Sequence, residues 1–202
     1  MAKFAAVHGT NWTKTVRFVA FANEEPPFFQ NINAMGSWLY ARKFIGERER
    51  IAAVISLETM ANYSTETFNG KRSGSKNLLA NLIGLPAESN YVAFMSGWLV
   101  KSDDASRRWA AAFSRHTDVA AHTVSLPFIP RLGTEVFAWS DDWSFVQNEI
   151  PAFAVCDTAF YRSQRYHESW DTPEALNDHD YEVFARVVLG LQGMLKEMAS
   201  EK

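Results

Sequence analysis

The chain of 202 residues is short of several things, and each shortage excludes a class of function. It has one cysteine, Cys156, so no internal disulfide framework holds it. No uninterrupted apolar run is long enough for a membrane helix. The first six residues are too short for a signal h-region, so no export or transmembrane signal is legible and the compartment stays open. Net charge is only -3, which gives no general electrostatic case for nucleic acid or an anionic membrane as partner. There is no internal repeat and no low-complexity segment. No carboxylate precedes Glu24, and the one imidazole before it is His8. What is present is 47% hydrophobic and 14% aromatic, enough for one domain with a real core.

The apolar, β-branched and aromatic residues 16–22 run into two adjacent carboxylates, Glu24 and Glu25. Buried strands of parallel sheets read this way, and ligands gather at their C-terminal ends. The pattern predicts a strand over 15–22, a loop over 24–33 interrupted by Pro26 and Pro27, and a helix over 35–45. A second strand over 51–57 ends at Glu58, followed by a long polar loop over 62–86. Strands are predicted over 91–96, 119–126 and 151–156, the last ending at Asp157. Helices are predicted over 1–8 (the tail of one), 105–115, 143–148 and 178–198. Alternating strands and helices give an α/β sandwich with a largely parallel or mixed sheet. Three strands then end in acids, and their carboxylates converge along one edge of the sheet. Such ligands, with imidazole, suit zinc. The best-placed imidazole is His167, with Asp171 four residues on to orient its loop or cap the next turn. Arg162 and Arg165 lie near it, to meet a substrate carboxylate or to balance Asp157. Cys156, at the end of an apolar strand, reads as a small core residue.

Together these segments resemble the zinc aminopeptidases of metallopeptidase family twenty-eight, a superfamily that includes the glutaminyl cyclases. The resemblance lies in residues 17–25 with Gly36-Ser37 and Tyr40-Ala41, in Ile55-Ser56-Leu57-Glu58, and in 139–145, similar to a Ser-Asp-His-x-x-Phe segment. It continues in Ile150-Pro151-Ala152, Asp157-Thr158-Ala159, Tyr166-His167 and Asp171-Thr172. It implies a three-layer α/β sandwich whose mostly parallel or mixed central sheet is flanked by helices, with a peptide as substrate. Glu24 would be the general base and Tyr166 the donor to the oxyanion. Glu25 and His167 would ligate one zinc, and Glu58 would stand at the ligand position of a second, where many relatives have Asp. Asp141 would play a supporting part.

The family also places a His-x-Asp motif and a bridging Asp before the Glu-Glu strand, and residues 1–23 contain neither. His116-Thr117-Asp118 has the right spelling after that strand rather than before it, and reads as a helix end followed by a strand start; His122 and His179 read as strand and helix-start residues. Asp142 stands where relatives often have His. The expectation is therefore a single zinc-exopeptidase-like domain over 1–202, truncated at its N-terminus. It would hold one zinc, and two only if the missing His and Asp are supplied. An uncovered sheet edge would favour oligomerisation or a covering N-terminal segment. Two alternatives stand beside an aminopeptidase: a non-catalytic peptidase-like interaction domain, and a single-zinc acyltransferase of glutaminyl cyclase type. The latter would need an aromatic-walled cleft, for which Trp12, Trp98, Trp139 and Trp170 are available.

Overall fold

The strand Tyr91–Ser96 buries all six of its residues, which requires cover on both faces and a neighbour on each side. A computed structural model supplies both; it describes residues 1–8, 11–28, 31–46, 50–64, 84–86, 88–97, 99–125 and 140–201. Among them four strands form one mixed sheet: β1 (Val54–Glu58), β2 (Tyr91–Ser96), β3 (Ala120–Ser125) and β4 (Ala152–Cys156). Their order is β1-β4-β2-β3. The pairs β1–β4 and β2–β3 are parallel, and β2 and β4 are antiparallel.

The helices are α1 (Ala2–His8), α2 (Gly36–Lys43), α3 (Val100–Ser114), α4 (Asp142–Val146), α5 (Ala159–Arg162) and α6 (Asp178–Ser200). Strand alternation sorts the core into layers. Val92, Phe94, Phe153 and Val155 meet Trp109 and Phe113 of α3 and Val183, Val187 and Leu191 of α6. On the other face Ala152 and Val54 pack with Phe145 and Val146 of α4, Ala41 of α2 and Phe21. Tyr91, Ala93, Met95 and Cys156 pack beside them with Leu85 and Phe160. Cys156 is thus a core residue. The helix α6 starts at a capping box, in which Asn177 accepts from the Asp180 N–H and Asp180 from the Asn177 N–H. It approaches α3 closely at Gly190, where a Cβ would lie 2.5 Å from Cε2 of the fully buried Phe113.

The predicted elements are found with shifted ends, and one is not. The predicted helix over 105–115 begins five residues earlier, at Val100, and the predicted strand over 51–57 begins at Val54. Residues 65–83, most of the predicted polar loop, lie outside the described residues. The predicted strand over 15–22 joins no sheet among the described residues. It is a strap outside the sheet, with Phe18 and Val19 about half exposed. Strand propensity expresses fit to a pleated neighbour, and without that neighbour the residues form no ladder. No helix among the described residues is long and apolar enough to cross a membrane.

The strap is fastened at both ends. Backbone N–H groups of Thr13 and Lys14 donate to the Ala199 carbonyl at 3.0 Å, and Lys14 Nζ donates to the Met198 and Glu201 carbonyls at 2.8 Å. These bonds satisfy carbonyls that the end of α6 leaves open. At the other end the Gly36 N–H donates to the Ala22 carbonyl at 2.9 Å. A Cβ on Gly36 would lie 2.8 Å from the Ala22 oxygen and 2.9 Å from its nitrogen, both backbone atoms. Gly36→Ala is therefore expected to destabilise the fold by about 1–3 kcal/mol, as overpacking does. Denaturant unfolding measures this, and a change within ~0.5 kcal/mol, as at an indifferent surface position, would show that the contact relaxes freely.

Candidate functional site

Because β1 and β4 are parallel, with Glu58 in register with Cys156, their C-terminal ends lie at the same end of the sheet. The two acids found there serve differently. Asp157 is fully buried, its Oδ2 accepting from the Asn62 N–H at 2.6 Å and its Oδ1 from the Ala159 N–H at 2.7 Å. It joins the segment after β1 to the one after β4, and both oxygens are committed to backbone. Burial pushes its carboxyl up to about 7, against the pull of those N–H groups. Glu58 is only partly buried, and its charge is felt across the site.

Glu24, Glu25, Glu58, Tyr166 and His167 are brought together. His167 Nε2 lies 3.7 Å from Glu25 Oε2. The Glu24 carboxyl is pushed up to about 8, first by burial and then by the charges of Glu58, Glu25, Asp141 and Asp142. Burial also raises the Tyr166 phenol, followed by the charges of Glu25, Glu24 and Glu58. The Tyr166 ring stacks on His167, with centroids 4.0 Å apart and planes 17° from parallel. A crowd of carboxylates that keeps one of its members protonated near neutral pH is the environment expected of acid–base chemistry.

The backbone here is unusual. Five non-glycine residues among the described ones have positive φ, and four border the site: Asn23 (61°), Thr59 (43°), Thr158 (66°) and His167 itself (62°). Such conformations cost about 1–3 kcal/mol each and persist where surrounding structure imposes them. Here it does. Asn23 Nδ2 donates to the Ala34 carbonyl at 3.1 Å, and Thr59 offers its carbonyl to the Asp157 N–H at 3.0 Å. The loop carrying Tyr166 and His167 is held by Arg165, which donates to Asn62 Oδ1 at 3.2 Å and to the Ala175 carbonyl, and pairs with Asp171 at 3.8 Å. Arg162 donates to the Asp157 carbonyl and stands 4.6 Å over the Tyr91 ring. Both arginines are thus engaged in holding the walls of the site.

Sequence reasoning singled out Ser140-Asp141-Asp142 but missed what it builds. Asp142 is buried, and its carboxyl is pushed up to about 7 by that burial and by Glu58. Asp141 is raised too, chiefly by burial. Among the described residues, Oδ1 of each has no hydrogen-bond partner. Ser140 Oγ lies 2.6 Å from Glu58 Oε1, and Ser56 Oγ lies 2.8 Å from the same oxygen. Nothing in a lone serine marks such a bond in advance. Three further imidazoles lie elsewhere: His116 meets Glu197 at 3.1 Å, His122 sets its ring against Tyr91, and His179 meets Asn90 at 3.0 Å. Of the tryptophans, Trp12 packs against the main core, Trp170 is half exposed, and Trp98 and Trp139 lie outside the described residues.

The donor set bears on a metal as follows. Two ligands of a tetrahedral zinc, each about 2.1 Å from it, stand about 3.4 Å apart. The 3.7 Å between His167 and Glu25 matches such an edge to a few tenths of an ångström, with nitrogen and oxygen donors that zinc accepts. Among the described residues no group of three or more His, Cys, Asp or Glu gathers closely enough to complete a coordination shell. The pair fits one edge of a zinc site.

Comparison with known proteins bears on the fold and the family. The chain is 32% identical over 183 residues to the uncharacterized protein YfbL of Escherichia coli (strain K12), covering 89% of this chain and 50% of that protein. It therefore spans about half the length of that relative. The crystal structure of the Legionella pneumophila LapA aminopeptidase superposes with a TM-score of 0.51 at 18% identity, over 82% of this chain and 36% of that one. That likeness is one of fold. The signature of peptidase family M28 matches residues 1–192, nearly the whole chain, so the chain belongs to peptidase family M28.

Proposed function

We propose that this chain carries a zinc-dependent exopeptidase site of aminopeptidase type, which hydrolyses the N-terminal peptide bond of a peptide by water attack. The observation that carries the reading is the meeting of Glu25 and His167 at 3.7 Å beside a Glu24 whose carboxyl is pushed up to about 8. Glu25 and His167 would hold a zinc ion, and Glu58 is the further donor nearest in character. Zinc bound there supplies a lowered pKa to water and polarises the scissile carbonyl. Glu24, once ionised, takes the proton from the attacking water and returns it to the leaving amine. The Tyr166 phenol donates a hydrogen bond to the oxyanion that develops on the carbonyl oxygen.

A second reading is favoured by one observation: among the described residues no group of three or more His, Cys, Asp or Glu could hold a metal ion. A peptidase-like domain that binds peptide without cleaving it fits that fact. Elemental analysis of zinc per chain separates these readings, together with product analysis on aminoacyl anilides and on peptides with N-terminal glutamine. About one zinc with free amino acid released supports the aminopeptidase. Cyclised glutamine indicates acyl transfer. Zinc without product indicates the binding domain, and no zinc removes the zinc-dependent reading.

A further inference from the structure

We infer that the stacked indoles of Trp38 and Trp143, with the Arg42 guanidinium beside them, form a subsite for the far end of a short peptide. The indoles take the side chain of its second residue, and Arg42 takes its free C-terminal carboxylate. The inference rests on the reading of the site as one that binds the N-terminal end of a peptide, with or without cleavage, and deepens it by naming the ligand's length and second charge. The two rings stack with centroids 5.3 Å apart and planes 29° from parallel. Arg42 Cζ stands 6.0 Å from the centre of the Trp38 ring. Both indoles are partly buried, and Arg42 is exposed. Among the described residues Arg42 has no carboxylate partner. A guanidinium resting over an indole keeps its N–H edge available, and that edge matches a carboxylate with two hydrogen bonds.

Local structure sets the pair beside the site. Trp38 follows Ser37, whose hydroxyl lies 2.8 Å from Ser144 Oγ and hydrogen-bonds the Asp141 carboxyl. Trp143 follows Asp142, and Glu24 feels the charge of both aspartates. Gly36, at the start of α2, donates to the Ala22 carbonyl, two residues before Glu24. The first turns of α2 and α4 are thus tied to each other and to the segment that carries Glu24. Trp38 and Arg42 are four apart on α2, so they share one face of the helix. Charge is ordered along that helix. The carboxyl groups of Glu24, Glu25, Glu58, Asp141 and Asp142 gather by its first turn, while Arg42 and Lys43 stand in its last. A peptide with free ends is a zwitterion of the same order, ammonium first and carboxylate last. The step from Trp38 to Arg42 advances ~6 Å along the helix axis. An extended peptide advances ~3.3–3.6 Å per residue, so a carboxylate at Arg42 lies about one to two residues beyond a side chain on the indoles. The ligand is then a peptide of about three residues, and a longer chain carries its carboxylate past Arg42.

The test is titration calorimetry of the full chain with a leucyl-leucyl-alanine tripeptide whose first peptide nitrogen is methylated, so that the bond resists cleavage. The same peptide as its C-terminal amide is the control. The free acid is expected to bind about 5-fold tighter than the amide, the upper range for an exposed ion pair. Arg42→Gln is expected to erase that ratio and leave the affinity for the amide unchanged. Two further alanines at the end of the peptide are expected to erase it as well. Alanine in place of the second leucine is expected to weaken binding to wild type about 10-fold, and to weaken binding to Trp143→Ala little, because each change removes the same apolar contact. Melting midpoints report the fold of the variants; should that of Trp143→Ala fall, the exposed Arg42→Gln carries the test. Equal affinity of acid and amide for wild type overturns the inference. So does a ratio kept in Arg42→Gln or in the longer peptide, or an equal loss from the leucine change with and without the Trp143 indole. Each of these outcomes leaves the peptide reading standing. Absence of binding by either peptide overturns that reading and this inference together, and is seen before any variant is compared.

Discussion

Replacing Glu24 by glutamine is expected to lower kcat on an aminoacyl anilide by about 10²–10⁴-fold, the usual contribution of a general base, with zinc content unchanged. The amide keeps the size of the side chain and removes its capacity to take a proton. It also leaves alone the pair that meets at 3.7 Å, since that contact belongs to Glu25. The pH profile gives a second readout. Burial and four neighbouring carboxylates raise Glu24 from 4.5 to about 8, so in the metal-free chain it holds its proton at neutral pH. A base acts only when ionised, so activity rises as pH climbs through the Glu24 pKa. A cation beside it favours the carboxylate and moves that limb below about 8. The residual activity of Glu24→Gln is expected to lack the limb altogether. A variant that keeps its rate within a few-fold, or keeps the limb, would assign the proton transfer to another group.

Loss of His167 is expected to remove zinc. Its ring is exposed, with Glu25 and the stacked Tyr166 as its described partners, so the fold does not depend on it. Taking away one of two gathered donors costs more affinity than the ~10–100-fold that follows loss of a supporting partner. The choice of substitute matters, because His167 sits at φ 62°. Alanine there adds strain to the lost donor, whereas glycine adopts the conformation freely. His167→Gly is therefore expected to lose zinc with the melting midpoint held, and His167→Ala to lose both zinc and some stability. Equal zinc in wild type and His167→Gly would place the metal elsewhere.

The sheet was legible in the sequence wherever a strand could be recognised from its own residues. The run Tyr91–Met95 is hydrophobic throughout, and the amphipathic period of 178–198 gave the closing helix almost to its ends. Where structure depends on a partner, the sequence was a poorer guide. Residues 15–22 have every local mark of a strand, but pairing is a property of two segments, and no neighbour takes them up among the described residues. The acids show the same division. Glu24 and Glu25 come near Glu58 although the strand expected to carry them joins no sheet among the described residues, while Asp157, with the same signature, turns inward onto two N–H groups. Spacing along the chain does not say which carboxylate faces water and which meets backbone. The hydrogen bond of Ser140 to Ser56 joins residues 84 apart, and no local pattern points to it.

The strap that leads to Glu24 gives the molecule a direction in time. Its anchor at Ala199 lies 186 residues beyond Thr13, and Glu25 meets its imidazole only at His167. During synthesis Glu24 and Glu25 leave the ribosome ahead of the four described strands, and His167 and Ala199 leave behind them. The four described strands are made by Cys156, so a growing chain has that scaffold before His167 meets Glu25. Until α6 is made, Glu24 and Glu25 sit on a tether with a loose end, and the emerging protein is a fold without a centre.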